Sequence, residues 1–349
     1  MIKIHKNFKL NSNNYNKQEL VSFASNNLTC NVGSMSDLSN LILEIFNDES
    51  FILCKTSGST GKPKVIRLEK QSLVNSACMT GTYFNLLPGH SALSFLPMNF
   101  IAGKMMLVRA MVLGLDLSIF TPTSNPSDQI DKKYFFSAMT PMQANNSVAK
   151  LKYINTLILG GSEVSTILRS KILSQIDSYY ETYGMTETAT HIAVKKISKN
   201  DQDINQFSAL SGVSISTNKN NCLVIDAPHL TKDKIVTNDI VEIRSSNNFS
   251  IIGRIDNIIN SAGIKLIPEK IENKLSSFIS KNFIISSLKD ELLGNKLILI
   301  IESKKYKLNN DIFKYLTKFE VPKQVYFINK FSYTRTNKID RVKTLETIN

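Results

Sequence analysis

Short apolar runs alternate with longer mixed stretches through the middle of the chain. Between residues 91 and 183, the runs ALSFL, LSIF, FFSAM and INTLILG have the length and composition of buried strands. The stretches at 101–113 and 165–176 instead have the composition and length expected of helices. Alternation of this kind is typical of βαβ units around a largely parallel sheet. We therefore predict an α/β architecture for this part of the chain.

The pattern changes beyond residue 192. The runs VSIST, CLVIDAP, DIVEIRS and FSIIGRID predict short strands separated by Asn, Lys and Ser turns, as in a small antiparallel β subdomain. A different unit is predicted from residue 253 onward. Its elements are a helix starting near Pro268, strands at 283–288 and 297–301, a helix near Asp311, and a Lys-rich tail.

The predicted fold class is therefore α/β with two domains. The large N-terminal domain at 1–252 holds the mainly parallel βαβ sheet together with the small β subdomain at about 192–252. The small C-terminal domain at 253–349 is a mobile α+β unit.

The composition is that of a globular protein. The 349 residues are 42% apolar, which suffices for a sizeable core. No run approaches the roughly eighteen apolar residues of a membrane span, and the first residues lack the apolar run of a signal peptide. We therefore expect a cytoplasmic protein. Neither a disulfide framework nor a zinc site is predicted, because the four cysteines form no CxxC pair and are far apart: Cys30, Cys54, Cys78 and Cys222.

The net charge of +13 raises the question of nucleic-acid binding, because clustered Lys and Arg bind phosphate backbones. Here the lysines are spread along the whole chain, without the aromatic residues interleaved among basic ones that bind single strands. A nucleic-acid-binding protein is therefore the less favoured class. A diffuse positive field still favours anionic small substrates.

The strongest local signal is TSGSTGKPK at 56–64, between the strand-like segments FILCK and VIRLEK. Its hydroxyls, glycines and lysines suit a turn whose N–H groups and side chains surround polyphosphate oxygens. It is not a Walker A loop, which needs Gly at position 56 and Ser or Thr after Lys62, where this chain has Thr56 and Pro63. Taken alone, the segment is equally compatible with an ordinary Ser/Gly turn.

Two further turns follow predicted strands. YGMTET begins at Tyr183, and Gly160, Gly161 and Ser162 follow the run INTLIL. Ligands of open α/β sheets gather at the carboxyl ends of strands, so these turns are placed to form the floor of one nucleotide pocket. The alternative is a pair of structural turns with solvated side chains.

Four segments in this order resemble the core motifs of the adenylate-forming superfamily. They are TSGSTGKPK, YGMTET, GRIDNIINSAGIKLIPEKIE at 253–272 and TRTNKIDR at 334–341. The superfamily includes acyl- and aryl-CoA synthetases, adenylation domains of non-ribosomal peptide synthetases, and luciferases. The resemblance covers nearly the whole chain after Phe51. It implies an ATP-dependent acid:CoA ligase that forms an acyl-adenylate, with Mg²⁺ as cofactor and ATP and CoA as co-substrates.

The resemblance also implies a role for individual residues. The mobile phosphate loop would be Thr56, Ser57, Gly58, Ser59, Thr60, Gly61, Lys62 and Lys64. The ATP-binding residues near the adenine would be Gly160, Gly161, Ser162, Tyr183, Gly184 and Met185. Thr186 and Glu187 would meet phosphate and Mg²⁺, Asp239 and Arg254 would hold the ribose hydroxyls, Asp256 would be the hinge, and Lys338 would be the catalytic lysine. A catalytic cation is required because attack of a carboxylate on the α-phosphate builds negative charge.

The chain departs from the superfamily pattern at a few positions. Members usually have Gly where this chain has Asn238 and Asn337, and often Gly where it has Ala262. Asn tolerates unusual backbone angles better than most residues, so both Asn turns are compatible with the fold. About fifty residues precede the phosphate loop, fewer than in typical members.

The segment LPMNFIAGKMMLVRAMVLGLDL at 96–117 is most similar to the o-succinylbenzoate-CoA ligases of menaquinone biosynthesis, in a short bacterial form. Their substrate is a dicarboxylate, so one carboxylate must be held while the other reacts. Lys104 and Arg109 are our candidates for holding it, and His191 lies near the same place. For each of the three, a solvated charge or a buried structural side chain is an equal alternative.

Other functions remain open at this point. Within the enzymes, the alternatives are another aryl- or acyl-CoA ligase, or a stand-alone adenylation enzyme that loads a carrier protein. A degenerate nucleotide-binding regulator would lack the catalytic lysine, whereas Lys338 is present. We expect small-molecule partners, with no nucleic acid and no membrane span. The sequence leaves open whether the chain forms a homo-oligomer.

Overall fold

The computed structural model describes residues 2–29, 33–55, 64–200, 206–334 and 339–348. The chain divides into two compact units. The first comprises Met1–Val164, Leu168–Ser214 and Ile225–Ile235, and the second comprises Ser165–Ile167, Ile215–Val224 and Val236–Asn349. The predicted domain boundary at residue 253 stays a prediction.

The described residues contain eight α-helices. They are α1 (Lys17–Asn27), α2 (Gly33–Phe46), α3 (Lys70–Phe84), α4 (Ile101–Leu113), α5 (Pro141–Asn146), α6 (Thr166–Leu173), α7 (Pro268–Leu275) and α8 (Arg341–Glu346).

The same residues contain twenty strands. They are β1 (Lys9–Leu10), β2 (Asn13–Asn14), β3 (Phe51–Lys55), β4 (Val65–Glu69), β5 (Ser91–Ser94), β6 (Asp116–Ile119), β7 (Tyr134–Met139), β8 (Ile154–Leu159), β9 (Ser178–Gly184), β10 (His191–Ser198), β11 (Phe207–Ala209), β12 (Ser214–Thr217), β13 (Cys222–Asp226), β14 (Ile235–Ile243), β15 (Asn248–Arg254), β16 (Ile259–Ser261), β17 (Ile264–Leu266), β18 (Phe283–Asp290), β19 (Gly294–Glu302) and β20 (Gln324–Ile328).

A mainly parallel sheet organises the first unit, in the order β11-β10-β9-β8-β7-β5-β6-β1-β2. Neighbouring strands from β9 to β1 are parallel, whereas β1–β2, β9–β10 and β10–β11 are antiparallel pairs. The inner strands β7 and β8 are buried along almost their whole length, which explains their continuous apolar runs. The predicted α/β fold class is confirmed.

Helix α4 is apolar on all sides because it is buried on all sides. Every residue from Gly103 to Met111 is buried, including the charged side chains of Lys104 and Arg109. The helix ends at Gly114, whose φ of 74° lies in the left-handed region that glycine adopts without strain. Two ionisable groups thus lie in the interior on the buried part of this helix.

The second unit contains a three-stranded sheet, β18-β19-β20, covered by helices on both faces. Because alternate residues of β19 point to opposite faces, its apolar run LILII divides between two clusters. Leu297, Leu299 and Ile301 pack with Ile271 and Leu275 of α7, whereas Ile298 and Ile300 pack with Leu345 of α8. The strands predicted at 283–288 and 297–301 and the helix predicted near Pro268 are confirmed.

Two predicted helices are shorter or tighter in the structure. The helix predicted at 165–176 covers only Thr166–Leu173. The helix predicted near Asp311 is a 3₁₀ segment, Asn310–Tyr315, in which only Ile312 is buried. With one buried residue there is little apolar contact to stabilise a longer α-helix.

We expect Gly103→Ala to destabilise the protein even though alanine is the better helix former. A Cβ at position 103 would lie 2.2 Å from the Pro97 carbonyl oxygen, which is backbone and cannot rotate away. Overpacking costs about 1–3 kcal/mol, which outweighs the gain in helix propensity of about 1 kcal/mol. Thermal unfolding should therefore show a lower Tm. The control is Ala102→Gly, which exchanges the same two residue types in the opposite direction at the exposed neighbouring position. A higher Tm for Gly103→Ala would contradict the packing argument.

Candidate active site

Two glycine-containing turns lie side by side at the carboxyl edge of the parallel strands β8 and β9. Leu159 is paired with Glu181, and the Thr182 hydroxyl donates to the Leu159 carbonyl at 3.1 Å. A Cβ on Gly160 would lie 2.7 Å from the Thr182 Oγ1 atom, so the two turns approach as closely as a glycine permits. The turn at 160–162 and the segment that starts at Tyr183 thus share one edge of the sheet.

The turn from β9 to β10 is fixed by a close backbone approach. Gly184 is paired with His191, and a Cβ on Gly184 would lie 2.2 Å from the Thr190 carbonyl oxygen. The Thr188 hydroxyl donates to the Met185 carbonyl at 3.0 Å or the Thr190 carbonyl at 2.7 Å, which closes the turn. Because the polypeptide is held this tightly, the side chains of the turn are presented from a defined position.

Thr186 is half-buried and Glu187 is exposed on this turn. A hydroxyl and a carboxylate are oxygen donors of the kind that Mg²⁺ prefers, and proteins commonly hold this ion through one or two carboxylates plus substrate phosphates. The described part of the chain contains no group of three or more His, Cys, Asp or Glu residues placed to hold a metal by themselves. The turn therefore fits a magnesium ion that arrives together with a polyphosphate.

The ring of Tyr183 packs at a tilted angle against the ring of Phe207, which in turn contacts Lys195. Its centroid is 5.9 Å from that of Phe207, and the Lys195 ammonium lies 4.8 Å from the Phe207 ring centroid. An ammonium over an aromatic face is attracted by the ring quadrupole. Lys195, which is buried, thus links the Tyr183–Phe207 pair to the Glu181 carboxylate.

Glu181 is the centre of a cluster of charged side chains. Its carboxylate binds the Arg169 Nε at 2.7 Å and the Lys195 Nζ at 2.8 Å, and it accepts the Tyr179 hydroxyl at 3.2 Å. Burial lowers the pKa of Lys195, although the carboxylate of Glu181 opposes this change. Sequence analysis missed this cluster. The signal was present, since charged residues inside strands of a buried sheet need partners.

Arg109 is 2% exposed and has only neutral partners within the described residues. Its Nε donates to the Thr80 hydroxyl at 3.2 Å, its Nη2 to the Thr190 hydroxyl at 3.1 Å, and its Nη1 contacts the Met106 sulfur at 3.8 Å. Burial lowers the pKa of this guanidinium to about 10. A buried cation without an acidic partner pays desolvation without the Coulombic gain that a carboxylate would provide.

His191 lies beside Arg109, and both side chains contact the Thr80 hydroxyl. Its Nε2 is 3.4 Å from the Thr80 hydroxyl oxygen, which also accepts from Arg109. Burial first, and the Arg109 charge second, hold the pKa of His191 well below its usual value of 6.5. The imidazole is therefore neutral near pH 7.

Lys104 is engaged elsewhere. Its Nζ binds the Glu44 carboxylate at 3.0 Å, and the same carboxylate accepts the Leu53 N–H at 2.5 Å. Five residues separate Lys104 from Arg109, which on an α-helix places the two side chains about 140° apart. The structure therefore brings Arg109 and His191 together and leaves Lys104 in an ion pair with α2.

The second unit places Asp239 and Arg254 opposite each other on the paired strands β14 and β15. Arg254 bridges two carboxylates, with its Nη1 3.0 Å from Asp239 and its Nη2 2.9 Å from Asp256. Asn238 lies within strand β14, whereas Ala262 adopts φ 50°, in the left-handed region that favours glycine. Asn337 lies outside the described residues.

Most of the predicted phosphate loop and the candidate catalytic lysine lie outside the described residues: Thr56, Ser57, Gly58, Ser59, Thr60, Gly61, Lys62 and Lys338. Their flanks are described. Lys55 pairs with Val65 across the β3–β4 hairpin, next to the exposed Lys64. Near Lys338, Tyr333 and Ile339 form a bridge, and Arg341 makes a two-bonded ion pair with Glu272 of α7 at 2.8 and 2.6 Å.

A protein-family profile described as AMP-binding enzyme matches residues 43–228. The chain belongs to the AMP-binding enzyme family. This AMP-binding enzyme is similar to the crystal structure of an acyl-CoA synthetase (AMP-forming)/AMP-acid ligase II-like protein from Dyadobacter fermentans DSM 18053. The two are 32% identical, with a TM-score of 0.61, and the match covers 94% of this chain and 98% of that one.

Curated relatives of the AMP-binding enzyme have longer chains. A 2-succinylbenzoate--CoA ligase of Oceanobacillus iheyensis is 23% identical over 85% of this chain and 70% of its own length. A D-alanine--D-alanyl carrier protein ligase of Bacillus cereus is 22% identical over 86% of this chain and 71% of its own. The o-succinylbenzoate coenzyme A synthetase of Bacillus subtilis, solved with ATP and magnesium, shares the fold with a TM-score of 0.70. The two sequences are 18% identical, and the match covers 84% of this chain and 69% of that one.

The predicted adenylate-forming superfamily and the predicted class of AMP-forming ligase are confirmed. Within the described ranges, no helix combines the length and the apolar composition needed to cross a membrane. The placement in the cytoplasm stays a prediction.

We expect the protein to lose stability as the pH falls below about 6.5, in part through His191. The unfolded chain takes up a proton at this residue near pH 6.5, whereas the folded chain resists it because the folded pKa is lower. The loss from one such group approaches about 1.4 kcal/mol per pH unit until the folded pKa is reached. Urea unfolding at pH 7.5, 6.5 and 5.5 should show a shallower pH dependence for His191→Gln than for the wild type. The exposed His229→Gln is the control, and equal slopes for His191→Gln and wild type would refute the argument.

Proposed function

We propose that this protein is an acid:CoA ligase that joins its acid to AMP and then transfers the acyl group to CoA. We further propose that the acid is o-succinylbenzoate, so that the reaction converts o-succinylbenzoate, ATP and CoA to o-succinylbenzoyl-CoA, AMP and diphosphate, as in menaquinone biosynthesis. The observation that carries the choice of acid is Arg109, a buried guanidinium whose partners among the described residues are all neutral.

A dicarboxylate would supply what Arg109 lacks. An arginine paired with a carboxylate makes charge-assisted hydrogen bonds, which are about twice as strong as neutral ones. Thr80, Thr190 and the neutral His191 add a hydroxyl or imidazole contact around the same group. Thr190 follows Glu187 by three residues, so Arg109 binds the turn that also presents Thr186 and Glu187.

The same reasoning makes Lys104 the weaker candidate for the acid. Its ammonium already has a carboxylate partner in Glu44, so a substrate carboxylate would have to compete with that ion pair. We therefore assign the holding role to Arg109, with His191 as a neutral neighbour.

Nucleotide binding follows the roles that the resemblance implies. In the first unit, Gly160, Gly161, Ser162, Tyr183, Gly184 and Met185 would receive the adenine, and the phosphate loop would hold the phosphates. Mg²⁺ bound there would neutralise phosphate charge, with Thr186 and Glu187 as the protein oxygens aimed at it. In the second unit, Asp239 and Arg254 would hold the ribose hydroxyls and Asp256 would act as the hinge.

Two curated relatives support the acid. Both the Oceanobacillus iheyensis protein and a protein of Geobacillus sp. (strain WCH70), 22% identical over 84% of this chain, are 2-succinylbenzoate--CoA ligases. The similar extent of the match to D-alanine--D-alanyl carrier protein ligase keeps one alternative, an adenylation enzyme that loads a carrier protein. Dependence of product formation on CoA alone distinguishes the two.

An ATP–pyrophosphate exchange screen over aromatic, dicarboxylic and fatty acids tests the proposal directly. We expect the fastest exchange with o-succinylbenzoate and thioester formation when CoA is added. Faster turnover of benzoate or medium-chain fatty acids would reject this acid and leave the ligase class intact.

We expect Arg109→Met to raise the KM for o-succinylbenzoate by roughly ten- to a hundredfold. This is the loss of a charge-assisted hydrogen bond of about 1.5–3 kcal/mol. A monocarboxylic analogue should lose little. Because the substitution removes a buried cation that has no acidic partner among the described residues, we expect no comparably large fall in the Tm.

Lys104→Met is the matched control, since it removes a cation from the same helix. It should lower the Tm by leaving Glu44 unpaired and change the KM for the acid less than Arg109→Met does. The assignment fails if Lys104→Met has the larger effect on the KM of the dicarboxylate.

We expect Lys338→Ala to impair adenylation while sparing thioester formation from supplied acyl-adenylate. The cation is needed where charge builds on the α-phosphate, and that step is complete once the adenylate exists. Pyrophosphate exchange and single-turnover thioester formation measure the two steps separately. Equal loss in both would contradict this division.

A further inference from the structure

The side-chain amide of Asn238 donates to both carboxylate oxygens of Asp256. Its amide nitrogen is 3.1 Å from Oδ1 and 3.0 Å from Oδ2. Asn238 lies on strand β14, and Asp256 lies eighteen residues later in the 3₁₀ turn Ile255–Asn257 that directly follows β15. The contact therefore ties a strand to the turn that leaves the neighbouring strand.

The tie continues through Arg254. Asp256 Oδ2 accepts from both Asn238 and the Arg254 Nη2, and the Arg254 Nη1 binds Asp239. The Asn238 amide thus holds the Asp256 carboxylate. The two carboxylates of Asp256 and Asp239 together hold the Arg254 guanidinium. Each residue in this series restrains the rotamer of the next.

The side chain at position 238 is what makes the series complete. A glycine there would leave Asp256 with Arg254 as its single partner in this group. An aspartate would place a second carboxylate about 3 Å from the first, where like charges repel. Since Asn238 lies within a strand, its backbone does not demand a glycine.

We infer that Asn238 is a positioning residue that latches the turn at Asp256 and, through Asp256, orients Arg254 beside Asp239. The consequence for ATP rests on the proposed function, in which Asp239 and Arg254 hold the ribose hydroxyls. None of the residues in this series is among those that we propose to hold the acid. The latch therefore acts on the nucleotide and not on the acid.

Hydrogen exchange measured by mass spectrometry tests the latch without any substrate. The amide of Ile258 donates to the Ile255 carbonyl at 3.3 Å, so its exchange reports opening of this turn. We expect exchange about three- to tenfold faster in Asn238→Ala, which loses an exposed hydrogen bond. Asn238→Asp should exchange faster still, and high salt should move it towards Asn238→Ala because surface charges are screened.

Asn247→Asp is the matched control. It makes the same change in charge in the exposed turn between β14 and β15, and it should leave exchange at Ile258 unchanged. Equal exchange at Ile258 in the wild type, Asn238→Ala and Asn238→Asp would overturn the latch.

Calorimetric titration with AMP measures the consequence for the nucleotide. We expect the Kd for AMP to rise about three- to tenfold in Asn238→Ala, with no change in Asn247→Asp and no change in the KM for the acid. Faster exchange combined with an unchanged Kd would overturn the positioning role. If the wild type itself binds no AMP, the proposed function fails, whereas the exchange experiment still decides the latch.

Discussion

The candidate site of the first unit depends on the pairing of strand β9, which has a parallel neighbour on one side and an antiparallel neighbour on the other. Because β8 is parallel to β9, the turns at Gly160 and Gly184 open at the same edge of the sheet. Because β10 is antiparallel, the chain returns at once and brings Thr190 and His191 against Arg109. One strand order thus provides both the nucleotide turns and the partners of the buried arginine.

Two groups of buried cations in this unit are stabilised in opposite ways. Lys195 and Arg169 share the carboxylate of Glu181, and such pairing offsets much of the cost of removing charge from water. In the part of the chain that the structure describes, Arg109 instead contacts two hydroxyls and a sulfur, none of which balances its charge. The first arrangement is what a structural ion cluster requires. The second is what an anion-binding position requires, because the missing charge can be brought by a ligand.

The fold could be predicted from the sequence because strands that are buried on both faces of a sheet are continuous apolar runs, as in INTLIL and LILII. The closeness of the two candidate turns could also be predicted, because the carboxyl ends of neighbouring parallel strands meet at the same edge of a sheet. The partner of Lys104 could not, since Glu44 lies sixty residues away in a helix whose packing no local pattern reveals. The contact of Asn238 with Asp256 was hidden for the same reason. Arg109 and Lys104 looked equivalent by residue type and differ only in their three-dimensional partners.

The cluster around Glu181 also restricts how this protein can change over evolutionary time. A neutral residue at position 181 would remove the carboxylate that both Arg169 and Lys195 bind, so loss of either cation alone would be easier to tolerate than loss of the carboxylate. The path of accepted substitutions therefore has a preferred order, in which a cation changes before Glu181 does. Among relatives, position 181 should covary with positions 169 and 195, so that comparing sequences would recover a contact that one sequence conceals.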